Sequence, residues 1–274
     1  MPTPTREIQY LETISAYDQW AEVYDTDNNF LQRLDTLELQ TLLPAFLSLV
    51  QEQQHEQEQQ TPTKIVDLGC GTGRNTLSLL RATAPAPEDP ANTPPTQILG
   101  LEPSTGMLAV ARTKVEEYFT NGGAAAGDTR DRVSFLEYNI APEGGAEPPA
   151  LAQGADGVVS TLVLEHVELA GFFGAVAAML RAGGVALVTN LHAEMSAVSQ
   201  AGFVQPATGV KIRPTRCYAY TVADTLAAAA AAGLQPVAEV RETRVSEELA
   251  AVLGPRATKW IGVYVWYACC FRKM

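Results

Sequence analysis

Residues 64–75, Lys-Ile-Val-Asp-Leu-Gly-Cys-Gly-Thr-Gly-Arg-Asn, constrain this chain more than any other stretch. An apolar run with β-branched residues ends in a carboxylate, Asp67, and glycines follow at positions 69, 71 and 73. Asn-Thr-Leu-Ser-Leu-Leu then reads as the start of a helix. The pattern predicts a buried strand, a tight turn and a helix N-terminus. Glycine is required there because a chain carrying Cβ atoms could neither turn so sharply nor let a ligand press against its backbone. Dinucleotide folds space these glycines G-x-G-x-x-G and set a pyrophosphate on the helix N-terminus. Here the spacing is G-x-G-x-G with an acid before it, which suits a ligand with an amino group and no phosphate.

The string Val66 to Gly73 resembles the first motif of class I S-adenosylmethionine-dependent methyltransferases, and later stretches fall in that family's order over roughly residues 15–190. Gln97 to Glu102 reads as the second strand and also ends in a carboxylate. An acid there can accept hydrogen bonds from both ribose hydroxyls of a nucleoside. Pro-Ser-Thr-Gly-Met at 103–107 is similar to the family's acid-x-Ser-x-x-Met pattern, which implies a helix starting at Ser104 and Met107 against adenine. Ser104 is equally a good N-cap in its own right. Past the third strand, Val133 to Tyr138, the family often has an aspartate for the adenine amino group. This chain departs from that with Asn139, whose amide oxygen can still accept.

Upstream, Tyr17, Trp20, Ala21 and Tyr24 recur at helical spacing, as a core-packing amphipathic helix would require. The string Tyr-Asp-Gln-Trp-Ala-Glu-Val-Tyr-Asp also resembles the lead-in of ubiquinone/menaquinone-type methyltransferases. That likeness implies a segment folded over the cofactor, with Tyr24 reaching its carboxylate and Tyr17 and Trp20 walling the pocket. A second apolar helix runs from Leu31 to Val50, and the glutamine-rich tract 51–60 reads as a solvated helix end or linker. Prolines make 84–95 an irregular surface insertion, and Asn121 to Gly127 is another.

Ala155 to Thr161 is expected as the fourth strand, with Leu162 to Val167 opening the next helix. Backbone carbonyls at Ser160 or Thr161 would then face the methionine amino group at the strand ends. Glu165, His166 and Glu168 invite a metal site, but two acids and one histidine without further ligands do not make one. His166 reads as a helix-start residue holding backbone groups. Phe172 to Leu180 is expected as a helix, Arg181 to Gly184 as a turn, and Val185 to Asn190 as strand five. The long segment Leu191 to Tyr220 reads as a structured loop, and long loops at the carboxyl end of a sheet build acceptor pockets. The substrate is placed between it and the amino-terminal cover. Val222 to Ala232 should be a helix, Pro236 to Arg244 strand six, Ser246 to Leu253 a helix and Trp260 to Phe271 a last strand, which the family resemblance implies to be antiparallel.

These readings give an α/β fold, a doubly wound, mostly parallel seven-stranded sheet. Residues 1–274 form one domain, with 1–50 as a helical lid and 61–274 as the core. Lys and Arg number 19 against 31 Asp and Glu, a formal charge of −12, and no basic-aromatic face appears, so nucleic acid is not an expected partner. The four cysteines, Cys70, Cys217, Cys269 and Cys270, show neither a disulfide framework nor a zinc spacing. No membrane span or signal-peptide core is legible, no obligate protein partner is inferred, and a cytoplasmic protein is expected.

The resemblance implies S-adenosylmethionine as cofactor, S-adenosylhomocysteine as product and a small-molecule substrate. It places the cofactor against Tyr17, Trp20, Tyr24, Asp67, Gly69, Cys70, Gly71, Gly73, Asn75, Glu102, Pro103, Met107, Asn139, Ile140, Ser160, Thr161 and His166. The aromatic lead-in together with Lys259 to Trp266 also resembles fungal natural-product methyltransferases, including those that cap thiols. A thiol with pKa near 8.5 needs no strong base, whereas a phenol near 10 usually does. A thiol or hydroxyl acceptor from secondary metabolism is therefore expected. If a base is used, His192 is the histidine proposed for it, with catalysis resting mainly on proximity. Two rivals stand beside this reading. A nicotinamide-dependent dehydrogenase would share the glycine turn and the ribose acid, but its third glycine would fall at Arg74. A protein that binds the sulfonium without methyl transfer, or uses it for another reaction, would carry the same binding residues.

Overall fold

The computed structural model describes residues 7–56, 62–85, 95–124, 128–140 and 147–274. Most of the proline-rich insertion, the end of the second insertion (125–127) and the far end of the glutamine tract (57–60) therefore lie outside the described residues. The strands are β1 (Ile8–Leu11), β2 (Lys64–Leu68), β3 (Gln97–Glu102), β4 (Val133–Glu137), β5 (Ala155–Thr161), β6 (Leu180–Leu191), β7 (Phe203–Val204), β8 (Lys211–Pro214), β9 (Leu234–Pro236), β10 (Arg241–Arg244) and β11 (Tyr264–Lys273). The helices are α1 (Thr13–Trp20), α2 (Phe30–Glu56), α3 (Arg74–Ala82), α4 (Thr105–Thr120), α5 (Leu169–Met179), α6 (Ala193–Ser196), α7 (Val222–Ala231) and α8 (Glu247–Leu253).

The main sheet has the order β10-β11-β6-β5-β2-β3-β4, with β9 also on β11. Its β4-to-β6 portion is parallel and β11 runs antiparallel to β6. This is the expected doubly wound α/β arrangement, but with eight strands in place of seven. The extra strand comes from a split in the expected strand six. Five steps separate Pro236 from Arg241, while their partners on β11, Phe271 and Ala268, are three apart. The surplus residues loop out, leaving β9 and β10 as two pieces on one edge.

Side-chain alternation along the central strands builds two apolar layers. Val66, Leu99, Val158 and Ala186 face α5 and α7, packing with Phe172, Phe173, Val176 and Ala229. Ile65, Ile98, Val159 and Leu187 face the other way, onto Leu39, Leu43 and Phe46 of α2 and Leu79 and Leu80 of α3. The expected lid of residues 1–50 is thereby divided. Helix α2 is a layer of the sheet core, and the cover of the site is built from the residues before it.

Further expectations change, among them the turn expected over Arg181 to Gly184, which lies within β6. Ile8–Leu11 pairs in parallel with Lys211–Pro214, and β7 completes a small second sheet, so the loop expected over 191–220 carries α6 and two strands. Leu162 to Val167 does not open a helix: Leu162 takes φ +58°, a 3-10 turn covers Leu164–His166, and α5 begins at Leu169. The last strand begins at Tyr264 because Pro255–Trp260 winds into a 3-10 turn. Among the described residues no helix is long and apolar enough to cross a membrane.

Candidate cofactor and acceptor site

The glycine turn leaves β2 at the carboxyl edge of the sheet. Gly69 has φ +73°, and a Cβ built there would lie 2.3 Å from Val163 Cγ2, so both backbone conformation and space exclude a side chain. The Gly69 and Cys70 N–H groups both donate to the Leu101 carbonyl, at 2.7 and 3.0 Å, which draws the turn against β3. Beneath it Asp67 is buried. Its Oδ2 accepts from the Thr76 hydroxyl at 2.6 Å, and its Oδ1 has no partner among the described residues. Burial pushes the Asp67 carboxyl up to about 6, against the opposing effect of the Thr76 hydrogen bond.

Glu102, at the end of β3, is 7% exposed and uses both oxygens on backbone. Oε2 accepts from Gly71 N–H at 3.2 Å and Oε1 from Ser104 N–H at 3.0 Å. Burial dominates these bonds and lifts the carboxyl to about 7. Each oxygen keeps a further lone pair for a hydroxyl donor.

The cover is an aromatic cluster. Tyr17 stands 5.5 Å from Trp20 and 6.1 Å from Tyr24, ring centre to ring centre, and Trp20 stacks on Phe203 at 5.2 Å. Tyr17 Oη lies 2.7 Å from His166 Nε2, and His166 Nδ1 lies 3.3 Å from the Arg216 carbonyl. A carbonyl can only accept, so the proton sits on Nδ1 and Tyr17 donates to Nε2. Burial holds His166 neutral by lowering its pKa to about 4.

Two cavities meet under this cover. The larger, about 260 Å³, is lined by Gly69, Gly71, Glu102, Asn139, Thr161 and Arg216 among others. The smaller, about 120 Å³, is lined by Trp20, Phe30, Glu165, Met195, Lys259 and Trp260 among others. Tyr17, Tyr24 and Leu162 belong to both walls. Leu162, held in left-handed backbone conformation, is thus a partition between them, and such strained residues cluster at functional sites.

A family model described as a methyltransferase domain matches residues 66–186. The uncharacterized methyltransferase AN0656 of Emericella nidulans is 48% identical over 272 residues, covering 95% of this chain and 90% of that protein. The chain belongs to the class I S-adenosylmethionine-dependent methyltransferases. Solved structures share the fold. Magnesium protoporphyrin IX methyltransferase from Synechocystis PCC 6803, with bound SAH, aligns at TM-score 0.55 and 16% identity over 95% of each chain. An S-adenosylmethionine dependent methyltransferase from Mesorhizobium loti aligns at TM-score 0.52 and 20% identity, covering 78% of this chain and 92% of the other.

S-adenosylmethionine is the cofactor of this methyltransferase, and the larger cavity fits it. A Cβ at Gly71 would meet nothing within 4 Å, so the turn faces open cavity there, and Glu102 offers oxygens to its polar groups. Of the residues expected on the cofactor, Tyr17, Tyr24, Gly69, Gly71, Glu102, Pro103, Asn139, Ile140, Thr161 and His166 line this cavity. Trp20 lines only the smaller one. Asp67, Cys70, Gly73, Asn75, Met107 and Ser160 line neither and stand behind the wall. Asn75 Nδ2 donates to Thr161 Oγ1 at 2.7 Å, and Ser160 donates to the Leu68 carbonyl at 2.8 Å. Met107 is fully buried with α4 against the cover.

His192 lines neither cavity. It caps α6, accepting from Glu194 N–H at Nδ1, and its Nε2 lies 3.0 Å from Glu242 Oε1. The geometry gives it a capping role outside both cavity walls.

Several residues escaped the sequence. Asp18 and Asp25 in the cover latch it to the core. Asp18 Oδ1 accepts from the Ser104 hydroxyl at 2.6 Å and from Gly106 N–H at 2.9 Å. Asp25 accepts from the Thr72 hydroxyl at 2.8 Å and pairs with Lys114 at 2.5 Å. Asp35 on α2 is fully buried and accepts from Arg74, Thr189 and Trp266 at 2.5, 2.5 and 2.9 Å. Glu165 faces the smaller cavity with His166 Nε2 at 3.7 Å and the Cys217 thiol at 3.9 Å, and burial pushes its carboxyl up to about 8. The signal for Asp18 and Asp25 was present in the resembling string, where each directly follows a tyrosine.

Proposed function

We propose that this methyltransferase moves the methyl group of S-adenosylmethionine onto a thiol or hydroxyl of an apolar small molecule. The carrying observation is the pair of cavities that share the wall of Tyr17, Tyr24 and Leu162. The larger takes the cofactor and the smaller takes the acceptor.

In this reading Glu102 holds the ribose hydroxyls and Asn139 and Ile140 border the adenine. Gly69, Gly71, Thr161 and Tyr24 surround the methionine end. When bound, the cofactor supplies a methyl group on a sulfonium, an electrophile that needs no activation. The protein's task is to hold the acceptor atom about 3 Å from that methyl and in line with the departing sulfur, which can supply much of the rate. Tyr17, Trp20, Phe30 and Trp260 exclude water around the reacting atoms. The smaller cavity has one carboxyl among its described lining residues, Glu165, and at neutral pH it retains its proton. The site therefore suits an acceptor that ionises by itself near neutrality, and a thiol suits it better than a phenol.

The test follows the methyl group by mass from S-adenosylmethionine into a panel of aryl and alkyl thiols and the matching phenols and alcohols. Methylated thiols, with weaker turnover of phenols, are expected. Inert thiols and phenols beside a methylated amine or carbon acid would overturn the choice of nucleophile. Absence of any cofactor consumption would overturn transfer itself.

A further inference from the structure

The smaller cavity has three basic residues in its wall. The chain has a formal charge of −12, yet Lys211, Arg256 and Lys259 all contribute to the wall of this one cavity. Arg256 Nη1 donates to the Asp27 carbonyl at 2.5 Å, and its charge also acts on the half-buried Asp27 carboxylate, which already accepts from the Trp20 indole and the Asn29 N–H. The Lys259 ammonium rests over the Trp260 ring at 4.9 Å, a contact that positions a cation without neutralising it. Trp260 is 6% exposed, and its indole N–H has no hydrogen-bond partner among the described residues. A buried N–H left unpaired is costly unless a ligand satisfies it. The opposing acids are Asp27 beside Arg256 and Glu165 in the wall; burial raises the Glu165 carboxyl to about 8, so at neutrality it offers an O–H and repels a negative ligand little.

Resting on the assignment of the smaller cavity to the acceptor, we infer that the acceptor carries an oxyanion, a carboxylate or a phosphate. Its anion is bound by Arg256 and Lys259. The apolar body lies against Phe30, Leu31 and Trp20, and the nucleophile points to the partition at Tyr17 and Leu162. The anion is a recognition group, distinct from the atom that receives the methyl. Arg and Lys at the mouth read it by charge, and the planar Trp260 ring backs both the ammonium and Phe30, which stacks at 6.3 Å.

The test uses three probes of one shape, 2-naphthoate, 2-naphthyl phosphate and 2-naphthamide, titrated calorimetrically into protein saturated with S-adenosylhomocysteine. One or both anions should bind at least about tenfold more tightly than the amide. The tighter of the two identifies the oxyanion. Lys259→Gln should shrink the preference and Lys259→Glu should abolish it, with S-adenosylhomocysteine affinity unchanged in both, since Lys259 is exposed and remote from the cofactor wall. Equal binding of the three probes, binding of none, or a preference undiminished in Lys259→Glu overturns the inference. Failure of the wild-type protein to bind S-adenosylhomocysteine would instead strike the underlying assignment, so the two failures are distinguishable.

Discussion

The hydroxyl of Ser104 donates to Asp18 at 2.6 Å while accepting from the Met107 N–H at 3.1 Å. One side chain thus caps α4 beside the ribose carboxylate and latches α1 over the cavity. The Glu102–Ser104 turn and the cover are thus tied together, and cofactor binding at Glu102 is expected to act on both.

Asp18→Ala removes the acceptor for the Ser104 hydroxyl and the Gly106 N–H, each bond worth about 0.5–1.5 kcal/mol, or more with a charged acceptor. Hydrogen exchange over Thr13 to Asp25 should quicken in this variant and slow in the wild type when S-adenosylhomocysteine is added. Equal protection in both proteins, with and without ligand, would show the cover to be ordinary core.

Glu102→Ala should weaken S-adenosylhomocysteine binding by about 3–6 kcal/mol if both ribose bonds are charge-assisted at about 1.5–3 kcal/mol each. It also strands the N–H groups of Gly71 and Ser104. Calorimetry showing affinity unchanged would remove Glu102 from the ribose site.

Burial raises the Glu102 carboxyl from 4.5 to about 7, so in the free protein it binds a proton that the unfolded chain has already lost. Its contribution to stability is therefore unfavourable above about pH 7 and fades as pH falls toward the unfolded value. Ligand hydroxyls stabilise the carboxylate, so binding releases a proton, and affinity should fall as pH drops through about 7. The Glu102→Gln variant should bind more weakly and with a flatter profile across this range. A wild-type profile that is already flat would contradict the linkage.

Gly69→Ala meets two obstacles, φ +73° and Val163 Cγ2 at 2.3 Å. Left-handed backbone costs about 1–2 kcal/mol and overpacking about 1–3 kcal/mol. Thermal unfolding should show a loss on that scale. Adding Val163→Ala should recover the steric part and leave the backbone part, and a double variant no more stable than Gly69→Ala would assign the whole cost to the backbone.

His192→Ala should leave methyl transfer within about threefold of wild type and cost about 0.5–2 kcal/mol of stability, the ordinary loss of a cap. A hundredfold fall in turnover at an unchanged melting temperature would place His192 in the chemistry.

The glycine turn, the Glu102 acid and the parallel sheet were legible because each is dictated locally, by strand periodicity and by turns only glycine permits. The strands from β2 to β5 accordingly fall where the sequence puts them. Asp35 was not legible: its partners Arg74, Thr189 and Trp266 lie far along the chain, and an acid in a helix reads as solvated until the fold surrounds it. His192 misled for a similar reason. A histidine after strand five is close to the ligand edge in sequence, but its fate was decided by Glu242 and Tyr264 on neighbouring strands. Leu162 left no signal at all, because nothing in a leucine announces a left-handed backbone.

The pairing of β1 with β8 has a mechanical consequence. Ile8 to Leu11 lead directly into Glu12, Thr13 and Ile14 on the wall of the larger cavity, and Lys211, opposite Ile8, stands on the wall of the smaller. A peptide ladder welds these two walls into one leaf. On the proposed assignment of the two chambers, a movement of that leaf would unseal both together, giving spent cofactor and methylated product a shared exit.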